Sequence, residues 1–333
     1  MKEQIAILIL GLLSVWNACF SQDIQYSQFY ASPMYLNPAF AGTSDQHRVV
    51  GNFRDQWPSI QGAFVSYSLA YDVNIQDANS GLGFFVQRDQ AGSGGLNTTN
   101  IGGVYAYDIK VKRKLSFRPA IGIAYGRKAI NASKLRFGDQ LLSGSGISIQ
   151  SNTLNESVGY VDISAGGILY SNDFWAGYSV FHINRPNNSL LGRDNYLDAF
   201  HSIHVGYRLP MTRTVKREIV SAFIVAANYK SQGKWDQFDI GMYYFKRPFV
   251  VGLWYRGIPG LKAYKTGYQN NDAIVILSGM EFNKIKISYS YDITISKMWA
   301  NTGGAHEVSV IYEYMNPHKK RRKRRVKLAC PKF

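Results

Sequence analysis

Long segments in which apolar and polar side chains alternate constrain this chain more than any other feature of its sequence. In one of them Val65, Tyr67 and Leu69 share one face, and Ser66 and Ser68 share the opposite face. The same alternation recurs along most of the chain. Because successive side chains point to opposite sides of a strand, each segment predicts a β-strand with one apolar and one polar face.

Strand length separates the two all-β architectures that produce this alternation. A soluble sandwich uses strands of about five or six residues, whereas a tilted strand that crosses a membrane needs about nine to eleven. The alternating segments here run to about ten residues or more, and charges lie in the middle of several polar faces. Both features favour a transmembrane antiparallel β-barrel. The charges predicted to face its lumen are Asp72, Asp108, Arg118, Asp162, Lys286 and Asp292.

About fourteen strands, within a range of roughly 12 to 16, are expected between residues 47 and 315. An even number of strands closes the sheet, so that no backbone group is left unpaired in lipid. The predicted bounds are 47–57, 62–72, 81–90, 97–110, 114–127, 157–171, 173–182, 200–210, 217–230, 234–246, 249–257, 272–281, 284–295 and 304–315. Alternation is poor at 217–230 and at 272–281.

The connections between these strands alternate in length. Tight turns are predicted at 111–113 and at Arg247-Pro248, whereas the long connections are 128–156, 183–199 and 258–271. Outer-membrane barrels have short periplasmic turns and long outer loops. The alternation therefore predicts an outer-membrane protein with both termini in the periplasm.

The first 22 residues have the form of an export signal. Lys2 precedes the apolar run 5–15, and the small residues Ala18 and Ser21 follow it. The run is too short for a transmembrane helix, which needs about 20 apolar residues. Lipidation of Cys19 is a further alternative.

Enzyme signatures are missing from the sequence. It has no Walker loop, no nucleophile elbow and no zinc-ligand pair on a helix. His201 and His204 are three residues apart, which places them on opposite faces of a strand. Charged residues make up only 18%, below the roughly 25% of soluble proteins. We therefore expect no enzyme, no cofactor and no metal site.

The segment 316–333 forms a basic tail with nine positive charges and no acid. Nucleic-acid binding is excluded for an exported protein. The tail is then either a solvated end or a segment that docks on an acidic periplasmic protein or a cell-wall polymer. The residues predicted to bind such a partner are Lys319, Lys320, Arg321, Arg322, Lys323, Arg324, Arg325, Lys327, Cys330, Pro331 and Phe333.

The segment that follows the export signal carries a resemblance to a known family. Residues 25–42 read QYSQFYASPMYLNPAFAG, which resembles the opening of the PorP/SprF family of Bacteroidetes outer-membrane proteins. Similar blocks occur at 52–58, 289–292, 303–310 and 330–333. The positions that carry the opening block are Tyr26, Gln28, Tyr30, Pro33, Asn37, Pro38 and Gly42.

The resemblance implies a role beside the type IX secretion machinery and, in gliding bacteria, in motility. Family members are paired with large surface adhesins and assist their secretion or their anchoring at the cell surface. The partners implied are such an adhesin, type IX components and outer-membrane lipids. A passive channel or an uptake pore for small or apolar solutes is the alternative function.

The segment 23–46 precedes the first predicted strand. It has three possible positions: as a plug in the lumen, across the periplasmic mouth, or as a plain lead-in to the barrel.

Overall fold

The computed structural model describes residues 23–137, 140, 148, 154–192, 194–214, 219–265, 268–296, 302–314 and 328, with side chains throughout except at 259–269. The predicted export signal and nearly all of the basic tail lie outside these residues. No helix in the described part of the chain is long and apolar enough to cross a membrane.

In the described part of the chain, fifteen strand segments form one antiparallel sheet. They are β1 (His47–Gln56), β2 (Phe64–Ile75), β3 (Ser80–Ala91), β4 (Leu96–Tyr107), β5 (Ile109–Lys112), β6 (Leu115–Ala129), β7 (Ser157–Tyr170), β8 (Phe174–Phe181), β9 (Phe200–Arg213), β10 (Ile219–Gln232), β11 (Trp235–Lys246), β12 (Phe249–Lys265), β13 (Tyr268–Phe282), β14 (Ile285–Thr294) and β15 (Ala305–Tyr314).

The sheet closes on itself. β1 pairs with β15 over its whole length, from His47 opposite Tyr314 to Gln56 opposite Ala305. β4 and β5 are two parts of one strand interrupted at Asp108, since both pair with β6. The barrel therefore has fourteen strands, and the predicted fold class and strand count are confirmed.

Apolar side chains cover the outside of the barrel. Leu69 and Ile123 keep 58% and 59% of their surface exposed. The residues that alternate with them along the strands, such as Ser68, are buried. A soluble protein would not expose such a continuous apolar band, whereas a membrane barrel presents it to lipid. Tyr67 and Tyr125 lie near the edge of the band, where aromatic rings meet the lipid–water interface.

The two ends of the barrel differ in the length of their connections. At the turn end, β5 and β6 are joined through Arg113 and Lys114, and β13 and β14 through Asn283 and Lys284. At the loop end lie the long connections 130–156 and 182–199. The predicted loop 258–271 is wrong, because β12 and β13 continue through it as a hairpin with irregular register.

Candidate functional site

Residues 23–46 run through the lumen of the barrel, and we call them the luminal segment. Asp23 lies at the loop end, where its backbone N–H donates to Gln232 at 3.2 Å. Gln46 lies at the turn end, where its carbonyl accepts from the backbone of Asn74. Between these points the segment contacts strands all around the barrel. It therefore fills the lumen lengthwise.

The direction of the luminal segment differs from the predicted topology. Asp23 is at the loop end, whereas Tyr314, the end of β15, pairs with His47 at the turn end. The prediction that both ends lie on the periplasmic side therefore does not hold for Asp23, the first described residue. Its contacts with His182 and Gln232 hold it at the opposite mouth.

Proline and asparagine shape the middle of the luminal segment. Pro33 begins a one-turn helix, α1 (Pro33–Leu36), and Pro38 begins a 3-10 turn that ends at Phe40. Proline suits these first positions because its missing N–H needs no partner there. Asn37 caps the second turn by accepting from the N–H of Ala39 at 2.9 Å. Its amide also donates to the carbonyls of Gly167 and Tyr178 in the barrel wall.

The residues of the resembling block are the ones that hold the luminal segment in place. Gln28 donates to Ser290 Oγ and accepts from Ser288 Oγ on β14. Gly42 has a φ of +67° and donates its N–H to Asp72 at 2.8 Å. The whole set is buried: Tyr26, Gln28, Tyr30, Pro33, Asn37, Pro38 and Gly42.

A buried ionic cluster surrounds Ser27. The backbone N–H groups of Ser27 and Gln28 donate to Glu307 at 2.7 and 3.0 Å. The Ser27 hydroxyl donates to Asp292 at 2.6 Å. It also accepts from Arg54 and from Arg256, each at 2.7 Å. All of these side chains are almost fully buried, so each charge depends on the others for compensation.

Salt bridges connect the cluster to five strands of the wall. Arg54 on β1 pairs with Asp292 on β14 at 2.8 Å and with Glu307 on β15 at 3.1 Å. Arg256 on β12 pairs with Asp292, also at 3.1 Å, and with Asp239 on β11. We call the five charged residues and Ser27 the Ser27 cluster. It fixes the luminal segment to one side of the barrel.

An apolar cluster packs on the same segment closer to the turn end. The ring of Phe29 meets Trp254 edge to face at 4.8 Å between centroids, and Tyr30 meets Trp175 at 5.7 Å. Tyr243 packs against Trp254 from the wall. These inward-facing aromatic side chains are buried and pack directly against the luminal segment.

The charges predicted to face the lumen are placed there by the structure. Asp72 pairs with Arg48 at 2.7 Å and Arg118 donates to the carbonyl of Ala41 at 2.5 Å. Both therefore hold the part of the luminal segment nearest the turn end. The others lie as follows: Asp108 is 3.6 Å from Arg118, Asp162 is 2.9 Å from His182, Lys286 is 3.1 Å from Glu313, and Asp292 belongs to the Ser27 cluster.

The sequence singled out Asp292 but missed its partners. Arg54, Arg256 and Glu307 were not among the predicted site residues, although each alternates with outward apolar neighbours on its strand. Arg54 and Glu307 also lie inside the resembling blocks at 52–58 and 303–310. Strand parity would have placed both in the lumen.

Most of the predicted tail site lies outside the described residues. This holds for Lys319, Lys320, Arg321, Arg322, Lys323, Arg324, Arg325, Lys327, Cys330, Pro331 and Phe333. Leu328 is described; it is 6% exposed and belongs to the apolar cluster that contains Phe29 and Trp254.

The part of the chain that the structure describes contains no group of three His, Cys, Asp or Glu side chains arranged to hold a metal ion. His201 is exposed on the outer face beside Tyr178, whereas His204 is buried in the lumen beside Asn37. The two histidines lie on opposite faces of β9.

A histidine at the end of β8 holds the start of the luminal segment. His182 lies 2.6 Å from Asp23 and 2.9 Å from Asp162. Burial lowers the pKa of His182, but the two carboxylates outweigh burial and raise it from 6.5 to about 10. His182 is therefore protonated at neutral pH and donates to both acids.

We expect this contact to depend on pH. Because the pKa is raised on folding, the stabilisation is complete below about pH 6.5 and is lost as the pH rises through about 10. Protease cleavage near Asp23 should therefore increase between pH 7 and pH 10.5, and H182Q should remove this step. The control is H47Q, which replaces a histidine on the outer face of the barrel. An equal pH step in H182Q would contradict this assignment.

Comparison with protein-family models identifies the family of this chain. A family model described as "Type IX secretion system membrane protein PorP/SprF" matches residues 18–312, nearly the whole chain. The chain belongs to the PorP/SprF family. This membership and the closed barrel with its apolar exterior place it in the outer membrane. The luminal segment is thus a structural feature of a PorP/SprF barrel.

Solved structures that are similar to this PorP/SprF chain are outer-membrane proteins of low sequence identity. The Ralstonia pickettii toluene transporter TbuX is 12% identical, with 86% of this chain and 94% of that chain covered and a TM-score of 0.48. Omp33 of Acinetobacter baumannii is 9% identical, with 82% and 100% covered and a TM-score of 0.43. No curated protein matches the sequence.

Proposed function

We propose that this barrel assists the secretion or the surface anchoring of a large adhesin by the type IX system, and that its lumen is not the route of transport. The family supports the association with type IX secretion. The observation that carries the rest is the luminal segment, which occupies the barrel from one mouth to the other. A barrel filled in this way works through its surfaces and its ends.

The turn end supports a role in docking. Lys112, Arg113 and Lys114 are exposed there, and so are Lys246 and Lys284 on the neighbouring hairpins. The last strand, β15, also ends here, at Tyr314. The tail adds nine positive charges of the same sign to this basic rim. We infer that rim and tail together attract an acidic periplasmic partner, a protein or a cell-wall polymer.

Deletion of residues 319–333 tests the docking role. We expect a heat-modifiable barrel that still inserts into the outer membrane, because every strand is kept, and a severe loss of adhesin display at the cell surface. Display is measured by antibody labelling of intact cells. Unchanged display would reject docking through the tail.

Two controls separate the charge of the tail from its packing. Glutamine at each Lys and Arg from Lys319 to Arg325 removes seven of the nine positive charges and keeps Leu328, and we expect the same loss of display. L328A keeps the charge and removes the buried side chain, so display should remain.

The alternative function is a passive channel or an uptake pore for small or apolar solutes. A cavity between the luminal segment and the wall favours it, lined by Met34, Phe85, Phe181 and Phe200 among others. This cavity lies beside the luminal segment, which still occupies the lumen. Measured conductance decides between the two functions.

A further inference from the structure

Two arginines occupy one level of the lipid-facing surface near the loop end. Arg88 on β3 lies opposite Thr99 on β4, and Thr99 lies opposite Arg127 on β6. Residues paired across adjacent strands point to the same face. Since neighbouring strands are about 4.8 Å apart, the two arginine Cα atoms are about 10 Å apart. Both side chains are exposed on the outside of the barrel.

Neither arginine faces a carboxylate. Within the described residues Arg88 makes no hydrogen bond or ion pair. Arg127 donates only to Ser157 Oγ, at 3.2 Å. Among the residues whose side chains the structure describes, no other arginine or lysine occupies an outward strand position in the loop-end half of the barrel. The pair is therefore a local concentration of uncompensated positive charge.

On the same face, apolar side chains lie next to this pair on the side of the turn end. Val86 precedes Arg88 by one pleat, and Ile101 and Tyr125 occupy the same level on the next two strands. With the long loops outside the cell, as in other outer-membrane barrels, Tyr125 marks the outer edge of the apolar band. The arginines then lie at the level of the outer-leaflet headgroups.

An unfilled groove adjoins Arg88 on its other side. It runs over Gly51, where an added Cβ would meet no atom within 4 Å. Its walls include Phe53, Leu69 and Val86, and Arg88 itself lines it. The groove is apolar and open to the membrane, and thus has the chemistry of an acyl-chain site beside a cationic site.

We propose that this surface binds a phosphorylated glycolipid of the outer leaflet, of the lipid A class. Its phosphate lies between Arg88 and Arg127, and one of its acyl chains lies in the groove over Gly51. Arginine is suited to phosphate because its planar group donates several hydrogen bonds at once. Thr99, between the two arginines, offers a hydroxyl to the same headgroup.

Titration of the full-length protein in detergent with lipid A tests the proposal, with binding read by native mass spectrometry. We expect R88Q combined with R127Q to bind lipid A about tenfold more weakly than the unmodified protein. G51L should also weaken binding, because its side chain fills the groove without changing any charge. The matched control is R185Q combined with K234Q, two exposed cations in connections at the loop end, away from Arg88 and Arg127, which should leave the affinity unchanged.

Other ligands separate lipid A from simpler anions. Dephosphorylated lipid A, phosphatidylglycerol and inorganic phosphate should each bind the unmodified protein more weakly than lipid A does. Equal binding of dephosphorylated lipid A would overturn the role of the arginines, and equal binding of phosphatidylglycerol or phosphate would overturn the selectivity. These comparisons need no variant, so a folding defect cannot obscure them.

Discussion

Removal of residues 23–40 should convert a closed barrel into a conducting pore. In the full-length protein this part of the luminal segment packs against the wall through the Ser27 cluster and the rings of Phe29 and Tyr30. Fourteen strands enclose more space than the eight that side chains alone can fill, and barrels of 16 to 18 strands hold an aqueous channel. In planar bilayers we expect a large, stable conductance from the deletion variant and almost none from the full-length protein.

A peptide with the sequence of residues 23–40 provides the control for this experiment. Added to the deletion variant, it should reduce the conductance, whereas a scrambled peptide of the same composition should not. Heat-modifiable migration on gels shows that the variant is folded. A large open conductance from the full-length protein would reject a filled lumen and favour the channel.

Replacement of Arg54 should destabilise the barrel more than replacement of any exposed arginine. Arg54 is 2% exposed and bonds to Asp292, Glu307 and Ser27. Among the described residues, R54Q takes from Glu307 its ion-pair partner and leaves Asp292 paired with Arg256. Breaking a buried pair in this way costs about 3–5 kcal/mol. Urea unfolding in lipid vesicles, followed by tryptophan fluorescence, should show a loss of this size in the free energy of unfolding.

Arg185 is the matched control for Arg54. Its side chain is 61% exposed and pairs with Asp198 at 2.9 Å at the loop end. R185Q makes the same chemical change in an ion pair that is exposed to water, where such pairs contribute only about 0–1 kcal/mol. Equal losses in R54Q and R185Q would show that the Ser27 cluster does not hold the luminal segment.

The strands could be predicted from the sequence because their signal is local. A period of two residues, repeated over about ten, specifies both the strand and its lipid-facing side. The outer faces of β2, β6 and β14 follow this rule, and so do their polar inner faces. The tight turn predicted at Arg247-Pro248 lies between β11 and β12, so a local signal also marked the ends of these strands.

Two strands that alternate poorly in the sequence have a tertiary explanation. On β10 the inward residues are Ala222, Ile224 and Ala226, and on β13 they include Val275 and Leu277. In these parts of the two strands both faces are apolar, because one meets lipid and the other packs in the apolar cluster of the lumen. Sequence periodicity cannot show an apolar inner face when the element that covers it lies far away in the chain.

The sequence by itself determined the barrel, its strand number, its lipid-facing surface and the importance of residues 25–42. Only the tertiary structure decided where those residues lie and in which direction they run. Ser27 and Glu307 are separated by 280 positions, and no local pattern reports a contact of that range. The alternation of side chains tells which residues face the lumen, but the closed barrel determines which of them meet there.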